Sequence, residues 1–168
     1  MKKFASLLVL FLAVALTGCG YRLGVDRPSK MAGFTKLAVP TFKNETLEPR
    51  LEVLLTNAVI KKLQMDGAYK IVSVADADAV LYGTITNITR GQFRSVRSDT
   101  LSTSELLMGI NASYKVTNSG NVDIMVGQAR GRSNIVLDPN LQLTERQALS
   151  DAAERLAISL ASTLTEGW

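Results

Sequence analysis

The chain contains a single cysteine, and its position sets how much of the chain is left to fold. Cys19 closes the run Leu16-Thr17-Gly18-Cys19 directly after the apolar stretch Phe4 to Leu16, which is preceded by Lys2 and Lys3. A basic start, a short apolar stretch and small residues beside a cleavable bond are the marks of a secretory signal. The apolar stretch is well short of the roughly 20 residues that span a bilayer. Two fates compete for the thiol: an unpaired or buried side chain, or a diacylglycerol-modified amino terminus left by a lipoprotein signal peptidase. The position of Cys19 at the end of the signal favours the second. Residues 1–18 are then a lipoprotein signal peptide that is removed, residues 19–33 an acylated Cys and tether, and residues 34–168 one domain. A single acyl chain holds a membrane only marginally, but two or three chains on one residue hold it firmly. Gly20 after the acylated cysteine, in place of an Asp, points to the outer membrane.

Loss of residues 1–18 leaves 150 of the 168 residues, enough for one domain with a sizeable core. Lys2 and Lys3 leave with the signal, so the net charge of +4 falls to +2. No general attraction to nucleic acid follows from so small an excess. Histidine is absent and the cysteine is taken by lipid. Ser-His and Cys-His nucleophiles, a zinc site of nitrogen and sulfur ligands, and internal disulfides are therefore excluded. The chain is read as a non-enzyme with no metal and no cofactor beyond the diacylglycerol and N-acyl lipid on Cys19.

Gly20 to Gly33 is rich in structure breakers and reads as tether. Phe34 to Phe42 predicts a strand, with Pro40 at an end or edge. Pro49 suits the first turn of a helix, where its missing N–H is harmless. Leu51, Leu54, Leu55, Ala58, Val59 and Leu63 then recur at helical spacing, and Asp66-Gly67 stops the run. Tyr69 to Val74 predicts a short strand, Asp76 and Asp78 a turn, and Ala79 to Arg90 a longer strand. Between Ser104 and Thr117, Leu106, Met108, Ile110, Ala112, Tyr114 and Val116 alternate with Glu105, Asn111, Ser113 and Lys115, as a strand with one buried face requires. Asn118-Ser119-Gly120-Asn121 supplies hairpin chemistry before a strand from Val122 to Val136, with a bulge or bend predicted at Gly127 and Gly131. Thr144 and Gln147 stand as a capping box at the start of a last helix, whose apolar stripe is Leu149, Ala153, Leu156, Leu160 and Leu164, widened by Ala152, Ala157 and Ala161. The simplest closed solution is an α+β two-layer sandwich, two helices packed on one face of a roughly four-stranded mixed or antiparallel sheet.

Three groups of residues offer chemistry. Asp76 and Asp78 could act as acid and base or metal ligands, but a turn in which Asp side chains bond the backbone explains them as well. Between residues 79 and 137 the basic side chains are Arg90, Arg94, Arg97, Lys115, Arg130 and Arg132, against Asp99, Glu105 and Asp123. Arginine grips phosphate bidentately, so Arg90, Arg94, Arg97, Arg130 and Arg132 are candidate phosphate ligands if the strands cluster them. Solvated charges that keep strand edges from aggregating are the competing account. Gln92 to Thr103 reads as a long polar connection, with Phe93, Val96 and Leu101 either tips for a partner or ordinary exposed side chains.

The run Cys19-Gly20-Tyr21-Arg22-Leu23, then Leu37-Ala38-Val39-Pro40, Phe42-Lys43-Asn44-Glu45-Thr46, and Glu48-Pro49 leading into Leu51-Glu52 and Leu55-Thr56, resembles the LptE lipoproteins. Asp66-Gly67, Ala77-Asp78 and Leu81-Tyr82-Gly83 continue the likeness. It covers most of the N-terminal half; the C-terminal half agrees in its order of two strands and a helix. The resemblance implies a two-helix, four-stranded fold and an outer-membrane lipoprotein that binds lipopolysaccharide and sits largely inside the β-barrel of LptD, whose assembly it assists. It also implies a monomer in a 1:1 complex, lipid-anchored and facing the periplasm and the barrel lumen. Lipopolysaccharide phosphates would be a ligand for the arginines. An alternative is a lipoprotein activator of a peptidoglycan synthase. The roughly 14 residues of tether extend at most about 50 Å, which favours a partner at the same membrane.

Overall fold

A computed structural model describes residues 28–96, 99–136 and 141–166. The expected signal, Cys19, the expected tether up to residue 27 and Arg97 lie outside the described residues. So do the side chains of Arg94 and Thr144.

The element order is β1 (Lys36–Ala38), β2 (Lys43–Asn44), α1 (Leu51–Asp66), β3 (Lys70–Ile71), a 3-10 turn (Val74–Asp76), β4 (Ala79–Val96), β5 (Asp99–Asn118), β6 (Asp123–Val136) and α2 (Leu141–Thr165). One sheet runs β3-β1-β4-β5-β6, with β2 pairing β4. The β1, β2 and β3 pairings are parallel, while β4, β5 and β6 form an antiparallel meander. Both helices lie on one face and pack on each other, so the α+β two-layer architecture stands. The sheet has six strands where about four were expected. One of the two comes from the short piece at Tyr69 to Val74, which pairs with β1 as the edge strand β3, and the other from Pro40. It cannot donate to a ladder, so the segment expected as one strand from Phe34 to Phe42 breaks into β1 and, three residues after Pro40, β2.

Phe42 lies between those two pairings with its ring over Gly83 of β4, where a Cβ would collide with it. The Phe42 N–H donates to Thr56 Oγ1 at 2.9 Å, and that hydroxyl donates to Glu52 O at 2.6 Å, which pins the strand pair to α1. Helix α1 buries Leu51, Leu55, Val59 and Leu63, whereas Leu54 of the expected stripe is exposed. It ends as expected on Gly67 in the left-handed conformation, whose N–H reaches Leu63 O. Its start differs. Pro49 stands two residues before Leu51, and Arg50 between them is itself left-handed at φ 64. Met31 is fully buried, so packing begins upstream of the expected boundary at Phe34.

Two further expectations change. Gln92 to Thr103 is not a connection: β4 and β5 continue pairing through Gln92↔Leu106, Arg94↔Glu105, Ser95↔Thr103 and Val96↔Asp99. At about 3.3 Å per residue, the 18 residues of β4 span about 60 Å, while the 16 of α1 span about 24 Å. The hairpin thus outruns that helix; the side chains from Gln92 to Leu106, Phe93, Val96 and Leu101 among them, lie outside the described residues. Gly127 and Gly131 make no bulge either. The β5–β6 register is unbroken across both, shifting only between Val116 and Thr117. Gly131 is needed because α2 lies directly on it: a Cβ there would meet backbone atoms of Ala152 and Leu156. Gly127 makes room for the Tyr114 ring and hydroxyl.

Helix α2 starts at Leu141, three residues before the expected cap, so Thr144 falls inside its first turn. The rest of its reading holds: Leu149, Ala152, Ala153, Leu156, Ala157, Leu160, Ala161 and Leu164 are all buried. Burial of each leucine contributes about 1.5–3 kcal/mol relative to exposure. Tyr69 Oη donates to Leu164 O at 2.6 Å and ties the end of α2 to the chain entering β3. Asn121, at φ 57, closes the β5–β6 turn with its N–H on Asn118 O, as the hairpin chemistry required.

Candidate functional site

The helices cover one face of the sheet and leave the other open. On the covered face lie Leu81, Gly83 and Ile85 of β4, Met108, Ile110, Ala112, Tyr114 and Val116 of β5, and Ala129, Gly131 and Ser133 of β6. Side chains alternate along a strand. Gln128, Arg130, Arg132 and Asn134 of β6 therefore project from the open face, and all four are exposed.

Arg130 stands opposite Asn111 and Arg132 opposite Gly109 in the ladder. Across β5 the same rows continue to Asn87 and Thr89 of β4. Gly109 is the centre of this patch. Its missing side chain is filled by the Thr89 hydroxyl, and Arg132 Cγ lies 3.8 Å from where its Cβ would be. Among the described residues no carboxylate lies within ion-pair distance of Arg130 or Arg132. Two residues along one strand are about 6.8 Å apart, close enough for both guanidinium groups to reach one phosphate or two neighbouring ones. Nearer the β5–β6 turn the face changes character. Lys115 Nζ sits 5.8 Å above the Tyr82 ring and 3.9 Å from Asp123 Oδ1, so its charge is already engaged.

Arg90 does not join the patch. A register shift between Ile85 and Asn87 leaves Thr86 as an extra residue, so alternation reverses and Arg90 faces the helix side opposite Met108. There its Nε donates to Glu145 Oε1 at 2.7 Å and its Nη2 to Glu48 Oε2 at 2.8 Å. These bonds, that from Glu145 foremost, raise its affinity for its proton. Arg90 is a clamp joining β4, the loop before α1 and α2. The sequence carried a signal for the reversal: Ile85 and Ile88 both pack toward the core, three apart where unbroken alternation allows only even spacing. Arg94 is placed by its backbone opposite Glu105 in the protruding hairpin.

The two aspartates are structural. Asp78 Oδ2 accepts from Thr35 N, Thr35 Oγ1 and Lys36 N at 2.8–3.1 Å and so holds the start of β1. The backbone donors of Lys36 and Thr35 lower its pKa. Asp76 Oδ2 accepts from Ser73 Oγ at 2.7 Å within the 3-10 turn. Among the described residues no group of three or more acidic side chains converges on a metal-sized site, and no helix is long and apolar enough to cross a membrane.

With this geometry in place, comparison with known proteins decides the family. The profile of the lipopolysaccharide-assembly family LptE matches residues 34–164. The chain belongs to the LptE family. That family assembles lipopolysaccharide and is not a family of enzymes. No curated protein matches the chain significantly. Among solved structures, a minor lipoprotein from Acinetobacter baumannii superposes with a TM-score of 0.54 at 11% identity, over 78% of this chain and 92% of that one. A protein from Xanthomonas campestris does so with a TM-score of 0.54 at 14% identity, over 84% and 89%. At such identities these likenesses establish the shared α+β fold alone.

Proposed function

We propose that the chain is an outer-membrane lipoprotein, acylated on Cys19, that binds an LptD-like β-barrel and lipopolysaccharide and assists barrel assembly and delivery of the glycolipid to the cell surface. Membership of the LptE family supports the assembly role. The observation that carries the ligand reading is the open sheet face, where Arg130 and Arg132 stand exposed beside Thr89 and Asn111, with no carboxylate opposing them among the described residues. Lipopolysaccharide is rich in phosphate, and paired arginines on a polar platform suit it. Exposed polar side chains on that face also suit the lumen of a transmembrane barrel, which is polar. In this reading the lipid on Cys19 concentrates the domain at the membrane, and the complex is one lipoprotein to one barrel.

Purification of tagged, full-length protein from detergent-solubilised outer membranes tests the reading. A barrel recovered at 1:1, with lipopolysaccharide retained, is the expected result. Recovery of a peptidoglycan synthase in its place, or of no barrel from well-folded protein, overturns it.

A further inference from the structure

At the end of the sandwich far from the β5–β6 turn, the loop before α1 presents a leucine to solvent on an unusually well-braced backbone. Asn44 organises it. Its Nδ2 donates to Glu48 O and Glu52 Oε2, both at 2.8 Å, and its Oδ1 accepts from Thr46 N at 3.0 Å and Thr46 Oγ1 at 2.7 Å. Arg90 holds the loop from the other side through Glu48. Leu47, at the tip, is wholly exposed at 103%. So rigid a loop has little conformational freedom left to lose on binding.

From Glu48, the residue after Leu47, a groove of about 660 Å³ runs between the start of α1 and the neighbouring turn of α2. Its apolar lining is Pro49, Leu51, Leu54 and Leu149, and the exposed Arg50 and Arg146 line it as well. Neither arginine has a carboxylate within ion-pair distance among the described residues, and the one acid lining the groove, Glu48, is held by Arg90. Arg50 also adopts φ 64, a left-handed conformation that costs a side-chain-bearing residue strain and that Gly would occupy freely. Strain retained at an exposed arginine with no carboxylate partner among the described residues points to a use for that guanidinium.

We infer that this groove and the Leu47 tip dock an acidic and apolar segment of the protein partner, leaving the open sheet face to the glycolipid. Charge complementarity sets the acidic part, because two guanidinium groups with no carboxylate partner among the described residues line the groove. The convex leucine sets the rest: a side chain held this rigidly fits a pre-formed apolar socket, which a folded polypeptide supplies. The inference rests on the proposed association with an LptD-like barrel and gives that barrel a contact apart from the arginines of the open sheet face.

The test uses full-length acylated protein in its own membrane, with a photo-crosslinking residue at position 47 and, separately, the variants Arg50→Gly and Arg50→Glu/Arg146→Glu. The expected crosslink joins position 47 to one segment of the barrel that contains both acidic and apolar residues. Arg50→Glu/Arg146→Glu is expected to lower barrel recovery tenfold or more while leaving lipopolysaccharide binding within twofold of wild type. Arg50→Gly is expected to keep or raise the Tm and still lower recovery, which separates lost contact from lost folding. Crosslinking to lipopolysaccharide, or undiminished barrel recovery by the double variant, overturns the groove assignment alone. A wild-type protein that recovers no barrel overturns the assembly reading and the assignment with it.

Discussion

Gly131→Ala adds one methyl group at the point where the sheet and α2 come closest. The added carbon would collide with the carbonyl oxygen of Ala152 and stand 2.5 Å from the Leu156 amide nitrogen and 2.9 Å from Leu156 Cβ. Two of these three atoms belong to helix backbone and cannot rotate aside. The helix must lift, and it lifts along the stripe where Ala152, Ala153, Leu156 and Leu160 are fully buried. Overpacking of this kind costs about 1–3 kcal/mol, and with backbone as the obstacle the upper end applies. In a domain of this size about 3 kcal/mol corresponds to a fall in Tm of about 10 °C. Gly33→Ala is the control, since nothing lies within 4 Å of its added carbon and its φ is not positive; it should stay within about 0.5 kcal/mol of wild type. Thermal and urea unfolding of both variants, followed by circular dichroism, measures the contrast. A Gly131→Ala protein melting within 2 °C of wild type would refute the claim that α2 rests on this glycine.

Three more substitutions probe the rest of the account. Thr56→Val keeps the shape of a buried side chain but strands the Phe42 N–H, which should cost about 1–3 kcal/mol in urea unfolding; a loss under 0.5 kcal/mol would contradict the bridge. Arg90→Gln removes two exposed ion pairs, so stability should fall by about 1 kcal/mol or less with lipopolysaccharide affinity unchanged, and a large loss of affinity would return Arg90 to the ligand site. Asp78 titrates below its ordinary value of 3.8 because the folded backbone donates to its carboxylate. Its contribution is therefore fully present at neutral pH and is lost as pH falls below about 4. The gap in urea midpoint between wild type and Asp78→Asn should hold from pH 7 to 5 and narrow as pH falls below about 4, and a gap independent of pH would show that the carboxylate is not the group that matters.

The architecture was legible where burial imposes a period. The stripe from Leu149 to Leu164 and the alternation from Met108 to Val116 follow from the covered face of one sheet, and both hold residue by residue. Gly67 and Asn121 were legible because few residues take a left-handed turn without strain. The glycine misreadings come from tertiary contact that leaves little local trace, and the arginine misreading from a local register shift. Gly127 and Gly131 read as breaks in a strand, yet one admits an aromatic ring and the other a helix, and both neighbours are distant in sequence. The arginine cluster divided because one extra residue, Thr86, reversed the side on which Arg90 emerges. Arg130 and Arg132 stayed together because two positions on an unbroken strand must share a face.

The most direct measurement is the affinity of the full-length protein for phosphorylated and dephosphorylated lipopolysaccharide, made on wild type and on Arg130→Ser/Arg132→Ser. The account predicts that wild type prefers the phosphorylated form tenfold or more and that the double variant loses this preference while keeping its Tm and its barrel. Equal affinity of wild type and variant for the phosphorylated glycolipid would contradict the claim that the open sheet face reads its phosphates.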